Sequence, residues 1–297
     1  MRILFFVLLL AVTCDAFCAV TEYVHSVGFG LTTVTNYSEL QTRAGKKALR
    51  FEPNIPSNIA LSAETKYIDL SYSFATANTN PSEGKSRYRD LRLNFSRDSF
   101  DVRLNYQFYK GAVVHEAGRS IFYRAYEVRS TNARAHYYFR KDQLQYIRDG
   151  VRLIERVTGN EGLTTSGSWF LGLNVDQRLV TLPKSLVTEH EARVQDRGID
   201  YETHLRAMAF GPLAGGDGTV YLHRFFLRSK FGVGPAFLTT SDSVLQYEFA
   251  FNLGVVVAQR HLVSLNLDAY GLALHTGNGR LANTNSSGGL FYTYAFR

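Results

Sequence analysis

From Phe100 the chain alternates residue by residue. Phe100, Val102, Leu104, Tyr106 and Phe108 take the even positions, and Asp101, Arg103, Asn105 and Gln107 the odd ones. Residues 245–257 do the same, with Leu245, Tyr247, Phe249, Phe251, Leu253, Val255 and Val257 on one side and Gln246, Glu248, Ala250, Asn252 and Gly254 on the other. Period two is the repeat of a strand with two unlike faces, because successive side chains point to opposite sides. The same rhythm runs through 68–74, 90–95, 224–233, 263–269 and 290–296, and more weakly through 57–65, 126–139, 142–156 and 163–175. This predicts eleven strands from residue 57 onward. A further strand at 45–53 or 23–34 makes twelve.

The connections sort by length. Lys66-Tyr67, Arg97-Asp98, Arg140-Lys141-Asp142 and Gln259-Arg260-His261 read as short turns, and 77–86, 111–125, 157–162 and 275–286 as longer polar loops. Counting strands between them puts the short turns at one end of the sheet and the long loops at the other. A soluble sandwich has no reason to sort them so. A transmembrane barrel does, with short periplasmic turns and long external loops. Strands of about ten residues, rising ~3.3 Å each and tilted by about 40°, cover the roughly 25 Å apolar band of such barrels. The expected fold is therefore all-β: a transmembrane antiparallel up-and-down barrel of about twelve strands, at 45–297. Residues 176–220 break the rhythm with Pro183, Pro212, the charged run Glu189–Arg197 and Gly215-Gly216-Asp217-Gly218. They read as a long insertion on the periplasmic side: an inward plug, a short helix at 184–197, or an unread hairpin. The glycine-rich 215–218 reads as a loop.

The first 18 residues read as an export signal, with Arg2 followed by ten apolar residues, Ile3 to Val12. Ten is too short to span a bilayer as a helix. The alternative for this segment is a lipoprotein signal modified at Cys14 or Cys18. Residues 19–44 form an N-terminal segment that includes the candidate first strand. Cys14 and Cys18 are the only cysteines, so no disulfide scaffold, cysteine zinc site or thiol nucleophile is expected beyond the signal. The 18 Tyr and 21 Phe suit interfacial girdles of a barrel. The net charge of +7 is dispersed, which argues against nucleic acid as a partner and for anionic surroundings.

The terminus reads Leu290-x-Tyr292-x-Tyr294-x-Phe296, similar to the last strand that outer-membrane barrels present to their insertion machinery, with Arg297 as a departure. Four further strings occur in order: Leu49-Arg-Phe-Glu-Pro53-Asn54, Tyr106-Gln-Phe-Tyr-Lys110-Gly111, Ser130-Thr-Asn-Ala and Thr165-Ser166-Gly167-Ser168. Together they resemble a family of bacterial outer-membrane barrels, domain of unknown function four-four-two-one. The resemblance implies a membrane barrel in the bacterial outer membrane and supplies no catalytic residues. The partners expected there are outer-membrane lipids, lipopolysaccharide and the insertion machinery.

Inward positions carry the candidate chemistry. Asp90, Arg92, Asp101, Arg103, Arg134, His136, Arg224, Arg228, Lys230, Glu248 and Asp268 all alternate with apolar neighbours and are expected to line the lumen. They make either a basic-biased pore or a ladder of ion pairs filling it. Arg92, Arg103, Arg224, Arg228 and Lys230 against Asp90, Asp101 and Glu248 leave an excess of +2 (5 − 3), so an open pore is expected to prefer anions and pass a small anionic solute. No nucleophile elbow or zinc-protease motif occurs. No enzyme activity, cofactor or metal is expected. The expected role is solute passage or envelope structure. Two alternatives are an outer-membrane lipid hydrolase using a serine and His136 at the membrane face, and a soluble periplasmic β-sandwich binding protein.

Overall fold

The computed structural model describes residues 24–42, 48–52, 57–77, 86–116, 119–140, 162–181, 204–238, 243–276 and 279–296, with Asn54, Gly84 and Ile154. The expected signal peptide, the expected strand at 142–156 (Ile154 aside), most of the expected loops and the expected helix at 184–197 lie outside these residues. The strands are β1 (Val24–Thr42), β2 (Ala48–Glu52), β3 (Ser57–Thr65), β4 (Ile68–Ala77), β5 (Arg87–Arg97), β6 (Phe100–Glu116), β7 (Arg119–Tyr138), β8 (Leu163–Thr181), β9 (His204–Leu222), β10 (Phe225–Leu238), β11 (Ser243–Ala258), β12 (His261–Thr276) and β13 (Gly279–Ala295).

β1 pairs antiparallel with β3, each strand from β3 to β13 pairs antiparallel with the next, and β13 pairs with β1 from Ala295↔Ser26 to Gly279↔Thr42, which closes the sheet into a barrel of twelve wall strands. Closure leaves no open edge, and this is what lets strands sit in hydrocarbon. The thirteenth strand, β2, is short. It pairs with the far end of β1 (Ser38–Gln41) and with Val113 and Val114 of β6. It thus caps the edges left where β1 and β6 outrun the shorter β3–β5.

The outward faces are apolar. Phe29, Leu31, Leu70, Leu93, Leu104, Trp169, Leu171, Leu173, Phe231, Phe249, Leu265 and Leu290 are all exposed. In water such a surface would aggregate, whereas in a bilayer it is the lipid contact. The inward faces hold buried Asp, Arg, Lys, Asn and Gln. The chain is an outer-membrane β-barrel, and the soluble sandwich is excluded because one sheet closes on itself with its apolar face outside.

The turns at 66–67, 98–99, 223–224 and 259–260 lie at one end with the start of β1 and the end of β13, where the wall strands stop close together, whereas at the other end β6–β7 and β12–β13 run on as long hairpins. By the short-turn rule this end is periplasmic. Several expectations need correction. The stretches 111–125 and 275–286 are not loops: β6–β7 and β12–β13 continue as long hairpins joined across 117–118 and 277–278. The segment 176–220 is no periplasmic insertion. Its first residues finish β8, its last form β9, and the link 182–203 lies at the external end. Gly215–Gly218 is strand, not loop. In the sheet β7 is the direct neighbour of β8, Tyr138 pairing with Phe170, so the expected strand at 142–156 is not part of the wall between them. Among the described residues eleven strands run from Ser57 onward, β3 to β13, and β9 is one that the alternation did not predict.

Candidate functional site

The lumen has three levels, and the alternation of each strand decides which side chains enter it. At the external end, β2, β5, β6, β7 and β8 turn Phe51, Tyr88, Tyr109, Tyr126, Val128 and Val180 inward into one buried cluster. Phe51 stacks on Tyr126 with centroids 4.4 Å apart and planes within 3°. Gly111, at φ +85°, sits in the bulge where β6 slips against β7, a backbone shape that suits glycine.

The middle level is ionic. Glu248 of β11 reaches across the barrel to β7 and β10. Its Oε2 is 3.1 Å from Arg134 Nη1, and its Oε1 is 2.7 Å from Lys230 Nζ and 3.2 Å from His136 Nε2. His136 Nδ1 lies 3.5 Å from Asp101 Oδ2, which also pairs with Arg103 Nε at 3.1 Å. Lys230 and His136 are about 1% exposed, so they are charged or polar groups held away from bulk water. Aromatic faces complete their shell: Lys230 Nζ stands 4.6 Å from the Phe170 centroid, and Arg134 Cζ 4.2 Å from that of Tyr270. Arg228 donates from Nε (2.9 Å) and Nη2 (2.5 Å) to Asp217, which also accepts from Tyr138 Oη at 3.2 Å. Arg178 forks onto Asp176 at 2.8 and 3.2 Å. Arg92 pairs with Asp90 at 2.8 Å and with Asp268 at 3.7 Å.

Gly211-Pro212 and Gly234-Pro235 lie side by side on β9 and β10. The β9–β10 pairing skips from Val233↔Ala214 to Phe237↔Phe210 around them. Proline brings no N–H, so mid-sheet prolines need such an interruption. Gln246 Nε2 donates to the freed carbonyls, at 2.8 Å to Pro212 O and 3.2 Å to Pro235 O, while its Oε1 accepts from Asn174 Nδ2 at 2.8 Å.

The lowest level is a cavity of about 300 Å³ that reaches up to the ionic level and is lined by it. It opens among Ser62, Glu64, Asp69, Ser71, Asn94, Asn105, Asn132, Ser264 and Thr293 and ends at the height of Asp90 and Gln107, below the aromatic cluster. Beside it, Ile154 from the β7–β8 connection is buried inside the barrel against Tyr221, Phe226, Val256, Leu262 and Ala295.

A family model described as a domain of unknown function (DUF4421) matches residues 16–271. The chain belongs to the DUF4421 family. No curated protein matches the sequence. Among solved structures, the DUF4421 barrel is similar to the outer-membrane protease OmpT from Escherichia coli (9% identity, TM-score 0.38, covering 92% of this chain and 97% of that one). It is also similar to the β domain of the Bordetella autotransporter BrkA (12%, 0.40, 92% and 100%) and to the P. putida toluene transporter TodX (7%, 0.31, 92% and 90%). Likeness at this level carries nothing about activity.

Of the residues expected in the DUF4421 lumen, Asp90, Arg92, Asp101, Arg103, Arg134, His136, Arg228, Lys230, Glu248 and Asp268 all point inside. Arg224 does not: it is exposed in the β9–β10 turn, one residue before the strand starts. Sequence reasoning missed Asp176, Arg178 and Asp217, and the neutral partners Asn132, Asn174 and Gln246. Asp176 and Arg178 continue the inward parity of β8, which was the available signal. Asp217 was hidden in a glycine run. The charge count at the cavity changes as well, through Glu64, Asp69, Asp268 and Arg134. The cavity is lined by Arg92, Arg103, Arg134, Arg228 and Lys230 and by Glu64, Asp69, Asp90, Glu248 and Asp268, so five cations meet five anions and the excess is zero (5 − 5).

Proposed function

We propose that this barrel handles a small polar solute at the lumen cavity and is not a general open pore. One observation carries the reading: a pocket of about 300 Å³ lies inside the wall, polar on most sides and closed above by the Phe51–Tyr126 stack. That volume is at the lower end of small-molecule sites. The balanced lining favours a solute bearing both charges, or neither, over the anion suggested by the excess of Arg and Lys along the strands. The reading is non-enzymatic. His136 faces the lumen between Asp101 and Glu248, not the membrane, so it cannot be the base of the hydrolase alternative.

The test is planar-bilayer recording of the refolded full chain. Wild type is expected to be silent or to open briefly at low conductance, and Phe51→Ala with Tyr126→Ala to conduct more. Steady, large conductance in wild type refutes a closed lumen. Conductance unchanged by the double substitution refutes the aromatic cluster as the closure.

A further inference from the structure

The outward face of β5–β7 breaks the apolar pattern in one place. Going up from the periplasmic turns, this face reads Phe95, Leu93 and Leu91 on β5 and Leu104 and Tyr106 on β6, all exposed. Above them the register sets Arg89 beside Phe108 and Phe108 beside Arg129, then Arg87 beside Lys110 and Lys110 beside Glu127. Four cations and one carboxylate therefore share two adjacent rows on three neighbouring strands. Strands lie about 4.8 Å apart and same-face residues roughly 7 Å, so the patch is about 10 Å by 7 Å. Glu127 is committed to Lys110 (3.6 Å) and Arg129 (2.7 Å). Arg87 and Arg89 have no carboxylate partner among the described residues.

Height places this patch. Arg89 is eight residues above Arg97, and Lys110 ten above Phe100, at the β5–β6 turn. At ~3.3 Å rise and about 40° tilt these are roughly 20 and 25 Å up the barrel, the far edge of the apolar band. The turns mark the periplasmic side, so that edge meets the outer leaflet. Like charges set directly across a ladder repel one another, and here they do so beside hydrocarbon, where screening by water is reduced. Such an array is stable with an anion lying over it. Arg87 and Arg89 present planar guanidinium groups suited to phosphate oxygens, and Arg129 and Lys110, held on Glu127, add positive charge beside them.

We propose that Arg87, Arg89, Lys110 and Arg129 form a docking site on the outside of the barrel for the phosphorylated headgroup of an outer-leaflet lipid. The acyl chains lie down the adjoining Leu91, Leu93, Leu104 and Tyr106 surface. The site is separate from the lumen and does not depend on its function.

The experiment uses the refolded full chain in detergent and native mass spectrometry. The probes are bis-phosphorylated lipid A and the same lipid with its phosphates removed; inorganic phosphate is the competitor. Wild type is expected to retain the phosphorylated lipid and not the dephosphorylated one. Combined R87Q, R89Q, K110Q and R129Q is expected to weaken retention at least about tenfold, as loss of four charge-assisted contacts implies. R97Q with R260Q, at the other end, is expected to leave it unchanged. Heat-modifiable gel migration checks that each variant is folded. If the fourfold variant does not fold, R89Q with R129Q keeps the Lys110–Glu127 pair and is expected to show a several-fold loss. Equal retention of both lipids, undiminished retention in the folded variants, equal loss in the control pair, or full displacement by millimolar phosphate overturns the proposal.

Discussion

Replacing Glu248 by glutamine tests the ionic level directly. The carboxylate is 5% exposed and touches three basic side chains, Arg134, His136 and Lys230. Glutamine keeps the shape and removes the charge, leaving Lys230, 1% exposed, beside an uncharged amide. Breaking a buried pair from one side costs about 3–5 kcal/mol, mostly because the partner charge stays buried. We expect Glu248→Gln to lose about 3 kcal/mol, the low end of that range, since Lys230 retains the Phe170 ring. Lys230→Met in the same background removes the stranded charge, so the double variant should be less destabilised than the sum of the singles by about 1–3 kcal/mol. The assay is urea unfolding from lipid vesicles. The single tryptophan, Trp169, reports it because it is 74% exposed on the lipid face and moves into water on unfolding. Singles that add to the double within about 0.5 kcal/mol would show that Glu248 and Lys230 do not act as a pair.

Other outcomes follow from the same geometry. Gln246→Leu leaves the Pro212 and Pro235 carbonyls without their donor and should cost about 1–3 kcal/mol per orphaned group in the same unfolding assay; a neutral result would mean that water replaces the amide. Gly234→Ala puts a methyl on the Pro212 carbonyl oxygen, so its yield of heat-modifiable folded barrel should fall sharply, whereas Gly218→Ala, with 3.7 Å of room to its nearest neighbour, should fold normally. Phe170→Ala removes a ring that is 1% exposed and packs 4.9 Å from His136, and should lose about 3–5 kcal/mol by vesicle unfolding.

Strands with a clean polar–apolar rhythm were readable because each lies between lipid and a polar lumen; β6 and β11 show this along most of their length. β9 was not readable, for a physical reason. Two of its glycines, Gly211 and Gly215, answer to close neighbours, not to a turn: a Cβ on Gly215 would meet the Phe231 carbonyl and the Phe170 ring. Close approach of backbones erases the side-chain pattern from which strands are recognised. The hairpin ends were misread differently. Beyond the membrane both faces of a strand meet polar surroundings or protein, so β6–β7 near 111–125 and β12–β13 near 275–286 lose alternation while keeping their ladders.

Inward direction was legible residue by residue, but partnership was not. Arg228 finds Asp217 only once β9 is known to run beside β10. Glu248 meets Arg134, 114 residues away, by a chord across the closed wall that strand parity cannot supply. The sign count left out Glu64, Asp69 and Asp268, which stand on the recognised strands 57–65, 68–74 and 263–269, and it included Arg224, which does not enter the lumen, so it gave a net field to a cavity that is balanced. The basic character of the chain lies elsewhere among the described residues: at the periplasmic turns, with Lys66, Arg97, Arg224 and Arg260, and on the outer face of β5–β7. Both places meet water or headgroups, where a cation keeps its hydration or finds a mobile anion. Inside the wall it must bring its own counter-charge, and the pairs of Arg92, Arg103, Arg178 and Arg228 each do so from the same strand or the next.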